Sequence, residues 1–311
     1  MEDALCGTLG CSRVETIGGR ASGCISSGQG YATDTLGEIF VKVNTKEGSE
    51  IMCQGESVSL QAMEVTSAIL VPHPIKAVNL KPYGWALITS YIHMGGRGSR
   101  NMSEQLAINL AGMHLHNASK LAEAKKNESF VGRGGENQPV EKFGFDVPTC
   151  CGFIPQVNDW QEDWATFFVR QRLKPQIDRI LENKSDRDLM KLWPELEKKS
   201  AQILKNCEGI VPSLVHGDLW GGNWSTTEKE PVIFDPASFY ADPEYERGIM
   251  NMFGGFDSNF WKKYHEIIPK RPGSETRVLL YELFHHLNHW NHFGSSYKGS
   301  SLGLINEILN S

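Results

Sequence analysis

The segment Leu214-Val-His-Gly-Asp-Leu-Trp-Gly-Gly-Asn223, followed by Val232-Ile-Phe-Asp-Pro-Ala237, decides how the rest of this chain is read. An apolar run through Ile210, Val211, Leu214 and Val215 stops abruptly at His216-Gly217-Asp218. Asn223 stands five residues after Asp218, and a second apolar run, Val232 to Phe234, stops at Asp235. A β-type run that ends in an acid delivers that acid to the rim of a core. Two such deliveries with an Asn between them give three oxygen-bearing side chains that could converge on a metal and a phosphate. His-Gly-Asp alone is a weak signal, and so is Asp-Pro-Ala. In this order, within about 20 residues of each other, they form a strong one.

Phosphoryl transfer uses this spacing: a base Asp, an Asn five residues on, and a metal-binding Asp after the next strand. The expected roles are therefore Asp218 as catalytic base and Asn223 with Asp235 as metal ligands. Working outward, residues 1–10 read as a short helix and residues 13–44 as β-rich. Arg13 to Ile17 is a first strand, Cys24 to Ala32 a second and Glu38 to Val43 a third. The connection from Gly18 and Gly19 through Gly23 to Ser26 is rich in Gly and Ser, so its backbone N–H groups could close over phosphates. Taken alone, it reads more simply as an ordinary hairpin turn. Lys42 lies between Val41 and Val43, and Glu56 follows 14 residues later on a helix of about 51–66 that carries Leu60 and Met63 at helical spacing. A Lys–Glu pair that fixes a phosphate-binding ammonium needs this strand–loop–helix order. Two more strands, Ile75–Leu80 and Trp85–Ile92, lead to the polar, glycine-rich Gly95-Gly-Arg-Gly-Ser-Arg-Asn101, which reads as a linker. The expected division is a β-rich lobe over 1–92, a linker over 93–101 and a helical lobe over 102–311. Ser90, Tyr91 and Ile92 would then offer backbone groups to an adenine ring.

Composition bounds the reading. The chain has 311 residues, 40% of them hydrophobic, with a net charge of −6. That length supports a large core and more than one lobe. The charge argues against nucleic acid or an anionic membrane as partner. No apolar run approaches the ~20 residues of a membrane span, and the first residues lack the pattern of a signal peptide. Seven cysteines with no C-x-x-C spacing fit free thiols in a reducing, cytoplasmic compartment. The vicinal Cys150 and Cys151 read as packed thiols, because a disulfide between neighbours is strained.

The second half reads as helical: 102–118, Trp160 to about Leu181, about 186–199, 243–253, 259–267 and 274–293. In the last of these, His285, His289 and His292 fall at i, i+4 and i+7, one face of a helix. Three imidazoles on one face could ligate zinc. Without the H-E-x-x-H arrangement, a face of hydrogen-bonding residues lining a polar pocket is the better reading.

With these motifs in order, the chain resembles the fructosamine-3-kinase/ketosamine-3-kinase family, over nearly its whole length. The resemblance rests on Gly-Cys-Ile-Ser at 23–26, Phe-Val-Lys-Val-Asn at 40–44 and Thr-Cys-Cys-Gly-Phe-Ile-Pro-Gln-Val-Asn at 149–158. It rests equally on His-Gly-Asp-Leu-Trp-Gly-Gly-Asn at 216–223, Asp-Pro-Ala-Ser-Phe-Tyr at 235–240 and Leu-Asn-His-Trp-Asn-His-Phe-Gly at 287–294. Gly221, the glycines of 131–135 and the segment 158–164 look closer to the ketosamine-3-kinase branch. The resemblance implies an α+β, bilobal, protein-kinase-like fold of the aminoglycoside-phosphotransferase kind. It implies ATP and Mg²⁺ as cofactors, with Lys42 positioned by Glu56 on the α/β-phosphates and the turn 18–26 covering them. Such kinases phosphorylate the C3 hydroxyl of ketoamines, either free or on glycated proteins; the 3-phosphate is unstable and releases the amine, so the implied process is protein deglycation. Trp220, Asn288, His289, Trp290 and His292 are the residues expected to form the sugar pocket. Cys24 matches a redox-sensitive position, which implies a monomer that can become a disulfide-linked homodimer.

Three departures stand out. Gly217 replaces the Arg of phosphorylation-switched protein kinases, Ser90 stands where an acidic linker residue is expected, and Trp224 is bulkier than the usual small aliphatic. Other readings remain open from sequence: a kinase for another small hydroxylated amine, a catalytically silent nucleotide-binding or redox-scaffold protein of the same fold, and a zinc hydrolase built on 285–292. The presence of Lys42, Glu56, Asp218, Asn223 and Asp235 together speaks against a silent protein.

Overall fold

The structure, a computed structural model, describes residues 1–22, 26–95, 100–127, 138–205 and 209–311. Gly23, Cys24 and most of the glycine-rich linker lie outside the described residues, as does the segment 131–135.

Helix α1 (Glu2–Leu9) precedes strands β1 (Val14–Ser22), β2 (Ser27–Thr33) and β3 (Gly37–Asn44); then come α2 (Ser49–Thr66), β4 (Pro74–Leu80) and β5 (Gly84–Ser90). The five strands form one antiparallel sheet in the order β1-β2-β3-β5-β4. Side chains alternate across a strand, and β3 shows what this does. Ile39 and Val41 are buried in a cluster with Leu5, Val14, Ala86 and Ile88 on the α1 side. Phe40 and Lys42 therefore face the other way, toward α2 and the cleft. That alternation, rather than any property of lysine, aims Lys42 inward.

The strand β1 runs further than the sequence suggests. Gly18 and Gly19 belong to it, inside the span 18–26 expected to be a turn. The pairing of β1 with β2 shifts between Ile17 and Ala21, a bulge of the kind glycine permits.

The remainder is mostly helical. Helix α3 (Arg100–Asn127) is longer than expected and is followed by a hairpin of β6 (Thr149–Cys151) and β7 (Ile154–Gln156). Helix α4 (Trp164–Phe168) passes through a π turn at Val169–Leu173 into α5 (Lys174–Lys184), and α6 (Arg187–Lys205) follows. Four short strands come next: β8 (Ser213–Val215), β9 (Trp224–Thr226), β10 (Pro231–Ile233) and β11 (Phe239–Ala241). A 3₁₀ turn at Pro243–Glu246 leads into α7 (Arg247–Phe253), α8 (Ser258–Ile267), α9 (Ser274–Phe293) and α10 (Lys298–Asn310). No pattern in the sequence pointed to α10. One large core runs from α2 through α3 and the α4–α5 rod to α9, and includes Leu60, Leu110, Phe167, Phe239, Tyr245 and Tyr281. The described cysteines 6, 11, 53, 150 and 151 are free thiols. Among the described residues no helix is long and apolar enough to cross a membrane.

One expected pocket residue is placed elsewhere by this packing. Trp290 is only 1% exposed and belongs to the core. It lies two residues from Asn288 and one from His289, so the helical turn of about 100° per residue sends it to a different side of α9.

Candidate active site

Two short ladders place the acids. β8 pairs antiparallel with β11, Val215 opposite Phe239, and β9 pairs with β10, Trp224 opposite Ile233. All three residues of β8, β9 and β10 are buried. The polar stretches that follow β8 and β10 are thus carried to the surface of the core at fixed points, and they are Asp218 and Asp235.

The turn after β8 is held from three directions. Glu246, itself 1% exposed, accepts the N–H of His216 at 2.7 Å and of Gly217 at 3.0 Å. The carbonyl of His216 accepts the N–H of Ala237 at 2.9 Å. His216 then ties the two loops together: the Asp218 N–H donates to its Nδ1 at 3.2 Å, so the ring proton sits on Nε2 and donates to the Phe234 carbonyl at 2.9 Å. Burial lowers the His216 pKa, in keeping with this neutral tautomer.

Gly217 has a backbone reason to be glycine. Its φ is +85°, and a Cβ there would lie 2.2 Å from the Ala237 carbonyl oxygen. An Arg, as in switched kinases, could not occupy this turn. Gly217→Ala is expected to destabilise the fold by about 1–3 kcal/mol through backbone strain alone, with a further cost from the clash. Denaturant unfolding measures it.

Glu246 was not singled out by the sequence, because only the tertiary fold brings residue 246 against residues 216 and 217. Burial pushes its carboxyl up, but His114, whose Nε2 lies 3.5 Å away, together with His216 overcomes that, and the net shift is downward. A depressed folded-state pKa stabilises above the unfolded value and loses that contribution as pH falls through the folded one. Wild-type stability should therefore drop below about pH 4.5, near the unfolded glutamate pKa. Glu246→Gln should remove about 1.5–3 kcal/mol at neutral pH and flatten the acid decline. Denaturant curves across pH give both numbers.

Asn223 Nδ2 donates to the Asp218 carbonyl at 2.8 Å and approaches its Oδ2 at 3.4 Å. With the amide nitrogen so engaged, the amide oxygen is the group left for a cation. Asp235 sits at φ +59°, in the left-handed region that Asp tolerates better than most residues. The Lys42 ammonium bridges both halves of the molecule. It lies 2.8 Å from Glu56 Oε2, 3.0 Å from Oε1 and 2.9 Å from Asp235 Oδ1. Burial works against its charge, but the two carboxylates outweigh it and raise its pKa. Burial pushes Glu56 up to about 7 despite Lys42, and Lys42 holds Asp235 below the usual carboxylate range against desolvation by the cleft walls.

Two cavities meet at this bridge. The larger, about 420 Å³, is lined by Gly28, Phe40, Leu60, Ser90, Tyr91 and Ile92. The second, about 340 Å³, is lined by Cys150, Gly152, Asp218, Trp220 and Asn223. Ser26, Lys42, Glu56 and Asp235 border both. Asp218 thus faces only the second chamber, and Ser90 to Ile92 face only the first. Backbone groups at the end of β5 are partly spoken for: Ser90 N–H donates to the His73 carbonyl at 2.8 Å and Tyr91 N–H to the Glu38 carbonyl at 3.0 Å. Gly18 borders neither chamber but lies close to the Tyr91 hydroxyl.

Of the sugar-pocket candidates, Trp220 lines the second chamber, 37% exposed, with its indole 5.5 Å from the Phe253 ring. The α9 residues do not reach it. Asn288 is 2% exposed and donates to the carbonyl and sulfur of Cys151 at 3.3 and 3.2 Å. His289 packs on Phe253 at 5.0 Å and gives its Nδ1–H to the His285 carbonyl. His292 accepts the Phe153 N–H at 3.0 Å and donates to the Asn288 carbonyl at 2.7 Å. Between α9 and the chamber stands the β6–β7 hairpin, whose Cys150 and Gly152 line the wall instead. The 149–158 segment was quoted for resemblance, yet no local pattern marked it as a chamber wall.

The chain is similar to known proteins. The fructosamine kinase family model covers residues 10–311. The chain is 47% identical to mouse (Mus musculus) ketosamine-3-kinase over 311 residues, 99% of each chain. It is 38% identical to the chloroplastic protein-ribulosamine 3-kinase of Oryza sativa subsp. indica over 303 residues, 95% of this chain and 78% of that one. Among solved structures, a putative fructosamine-3-kinase from Haemophilus somnus superposes with a TM-score of 0.77 at 24% identity, covering 99% of this chain and 96% of that one. Aminoglycoside phosphotransferase APH(4)-Ia shares the fold at a TM-score of 0.57 and 13% identity, covering 100% of this chain and 99% of that one. The α+β, protein-kinase-like architecture that the resemblance implies is the one observed, and the chain belongs to the fructosamine kinase family.

Proposed function

We propose that the protein is an ATP-dependent ketosamine 3-kinase, which transfers a phosphoryl group to the C3 hydroxyl of ketoamines of the ribulosamine, psicosamine and fructosamine kind. One observation carries the reading. A chamber bordered by Ser90 to Ile92 and a chamber bordered by Asp218 and Trp220 share a wall at Lys42 and Asp235. A donor in the first and an acceptor in the second would meet where an ammonium and a carboxylate converge.

Phosphoryl transfer depends on positioning and charge neutralisation more than on covalent help. Lys42, steadied by Glu56, would hold the donor's phosphates. Asp218 would accept the proton of the attacking hydroxyl. Asn223 and Asp235 offer an amide oxygen and a carboxylate that is 47% exposed. This all-oxygen donor set fits Mg²⁺, which prefers hard ligands and keeps other positions for phosphates and water. Bound there, Mg²⁺ would supply charge neutralisation for the phosphates. The Trp220 indole gives an apolar face for the C–H groups of a sugar. Release of the amine after 3-phosphorylation would make the process deglycation.

The test is ATP consumption with a panel of ribulosamines, psicosamines and fructosamines. Ketoamine-dependent turnover is expected. Turnover with no ketoamine in the panel, while other hydroxylated amines are accepted, would move the substrate class to the sister reading.

A further inference from the structure

The sequence groups His285 with His289 and His292, but the structure separates them. His292 spends both ring nitrogens on backbone groups, and His289 spends its Nδ1 on one. His285 is fully buried, and among the described residues neither of its ring nitrogens has a hydrogen-bond partner. It turns instead toward two residues of other elements. One ligand atom each of Cys151, Asp218 and His285 lies within 4.8 Å of the others. A buried polar atom without a partner costs about 1–3 kcal/mol, so a fully buried imidazole with two of them points to something it is built to hold.

We infer that Cys151, Asp218 and His285 form a site for a soft divalent cation, Zn²⁺, whose binding takes Asp218 out of use. The ligand types decide the metal. A thiolate, an imidazole and a carboxylate suit Zn²⁺ and not Mg²⁺, so this site and the Asn223–Asp235 pair select different ions. Three protein ligands leave a fourth position for water or substrate on the chamber side, where Asp218 opens. Charge balances: on binding, the Cys151 thiol and any protonated Asp218 carboxyl release their protons to solvent, His285 coordinates through a neutral nitrogen, and one thiolate with one carboxylate cancels the two charges of the ion. A neutral assembly is what a buried position can hold at low cost. An outer layer is present. Asn288 Nδ2 donates to Cys151 Sγ at 3.2 Å, the kind of contact that steadies a metal-bound thiolate. The buried Arg172 guanidinium acts in the same direction, lowering the Cys151 thiol against the stronger upward pushes of burial and of Asp218.

Loss of activity on zinc binding rests on Asp218 being the base; the binding itself does not, and the two are read separately. Purified, chelator-treated full chain is titrated with Co²⁺ as a spectroscopic stand-in. The expected result is a thiolate-to-cobalt charge-transfer band that saturates at one equivalent and is displaced by Zn²⁺. The band should vanish in Cys151→Ser, and binding should weaken about 10–100-fold in Asn288→Ala. In a parallel assay, Zn²⁺ should inhibit ketoamine phosphorylation by wild type, a chelator should restore it, and Cys151→Ser should resist. No thiolate band in wild type overturns the inference without recourse to any variant. Equal zinc inhibition of wild type and folded Cys151→Ser also overturns it, because the ion would then act at Asn223 and Asp235. Absence of turnover in zinc-free wild type with a normal cobalt titration would instead count against the proposed reaction.

Discussion

Turnover by Asp218→Asn is expected to fall about 10²–10⁴-fold, the usual contribution of a positioned general base, with little change in ATP affinity. Asparagine keeps the shape of the side chain but cannot take a proton. Asp218 borders the second chamber and not the one by the linker, so nucleotide binding should survive. The pH profile supplies an independent signature. Burial above all, then the charges of Asp235 and Glu246, pushes the Asp218 carboxyl well above the usual range, against Asn223 and Lys42. Only the ionised form accepts a proton, so wild-type kcat/KM should decline as pH falls through that raised value. The residual rate of Asp218→Asn should lack this limb. Steady-state kinetics across pH checks both, and equal turnover in the two proteins would remove Asp218 as the base.

Lys42→Ala is expected to lower kcat by about 10²–10³, as for loss of one preorganised charge donor at a transferring group, and to raise KM for ATP as well. The ammonium holds Glu56 and Asp235 together at 2.8 and 2.9 Å. Its removal deprives the phosphates of a cation and leaves two carboxylates facing each other. Asp235 then loses the interaction that keeps it ionised, which should weaken Mg²⁺ binding as a second effect. Lys42→Arg should rescue little, since a planar fork does not replace a compact ammonium held between two acids. ATP titration at several Mg²⁺ concentrations separates the two effects. An unchanged KM for ATP would contradict the assignment.

Some of this site was legible because its signals are local. Asp218 and Asp235 end apolar runs, and Lys42 sits in a strand whose alternation can be counted, with Glu56 one loop and two helical turns later. These five residues, including Asn223, were read from spacing and are brought to one cleft. What escaped notice depends on chain segments far apart in sequence. Glu246 holds the turn at His216 and Gly217 from 29 and 30 residues away. The β6–β7 hairpin slides between α9 and the chamber, so the helix face at 288–292 that looked like a pocket wall is a support behind that wall. Periodicity shows which residues share a side of α9, not what stands opposite. That is why His285 reads as one of three histidines in sequence but lies beside Cys151 and Asp218 in the fold. The extent of β1 is hidden in the sequence for a related reason: glycines read as turn formers, but neighbouring β2 accommodates them in a bulged strand.

The most direct test of the proposed reaction is to locate the phosphate. Wild-type protein is incubated with ATP, Mg²⁺ and a model ribulosamine, and the product is assigned by phosphorus–proton correlation NMR. Phosphate on C3, followed by release of the free amine and absent with Asp218→Asn, is the predicted result. Phosphate on another hydroxyl, or ATP hydrolysis that leaves the ketoamine intact, would contradict it.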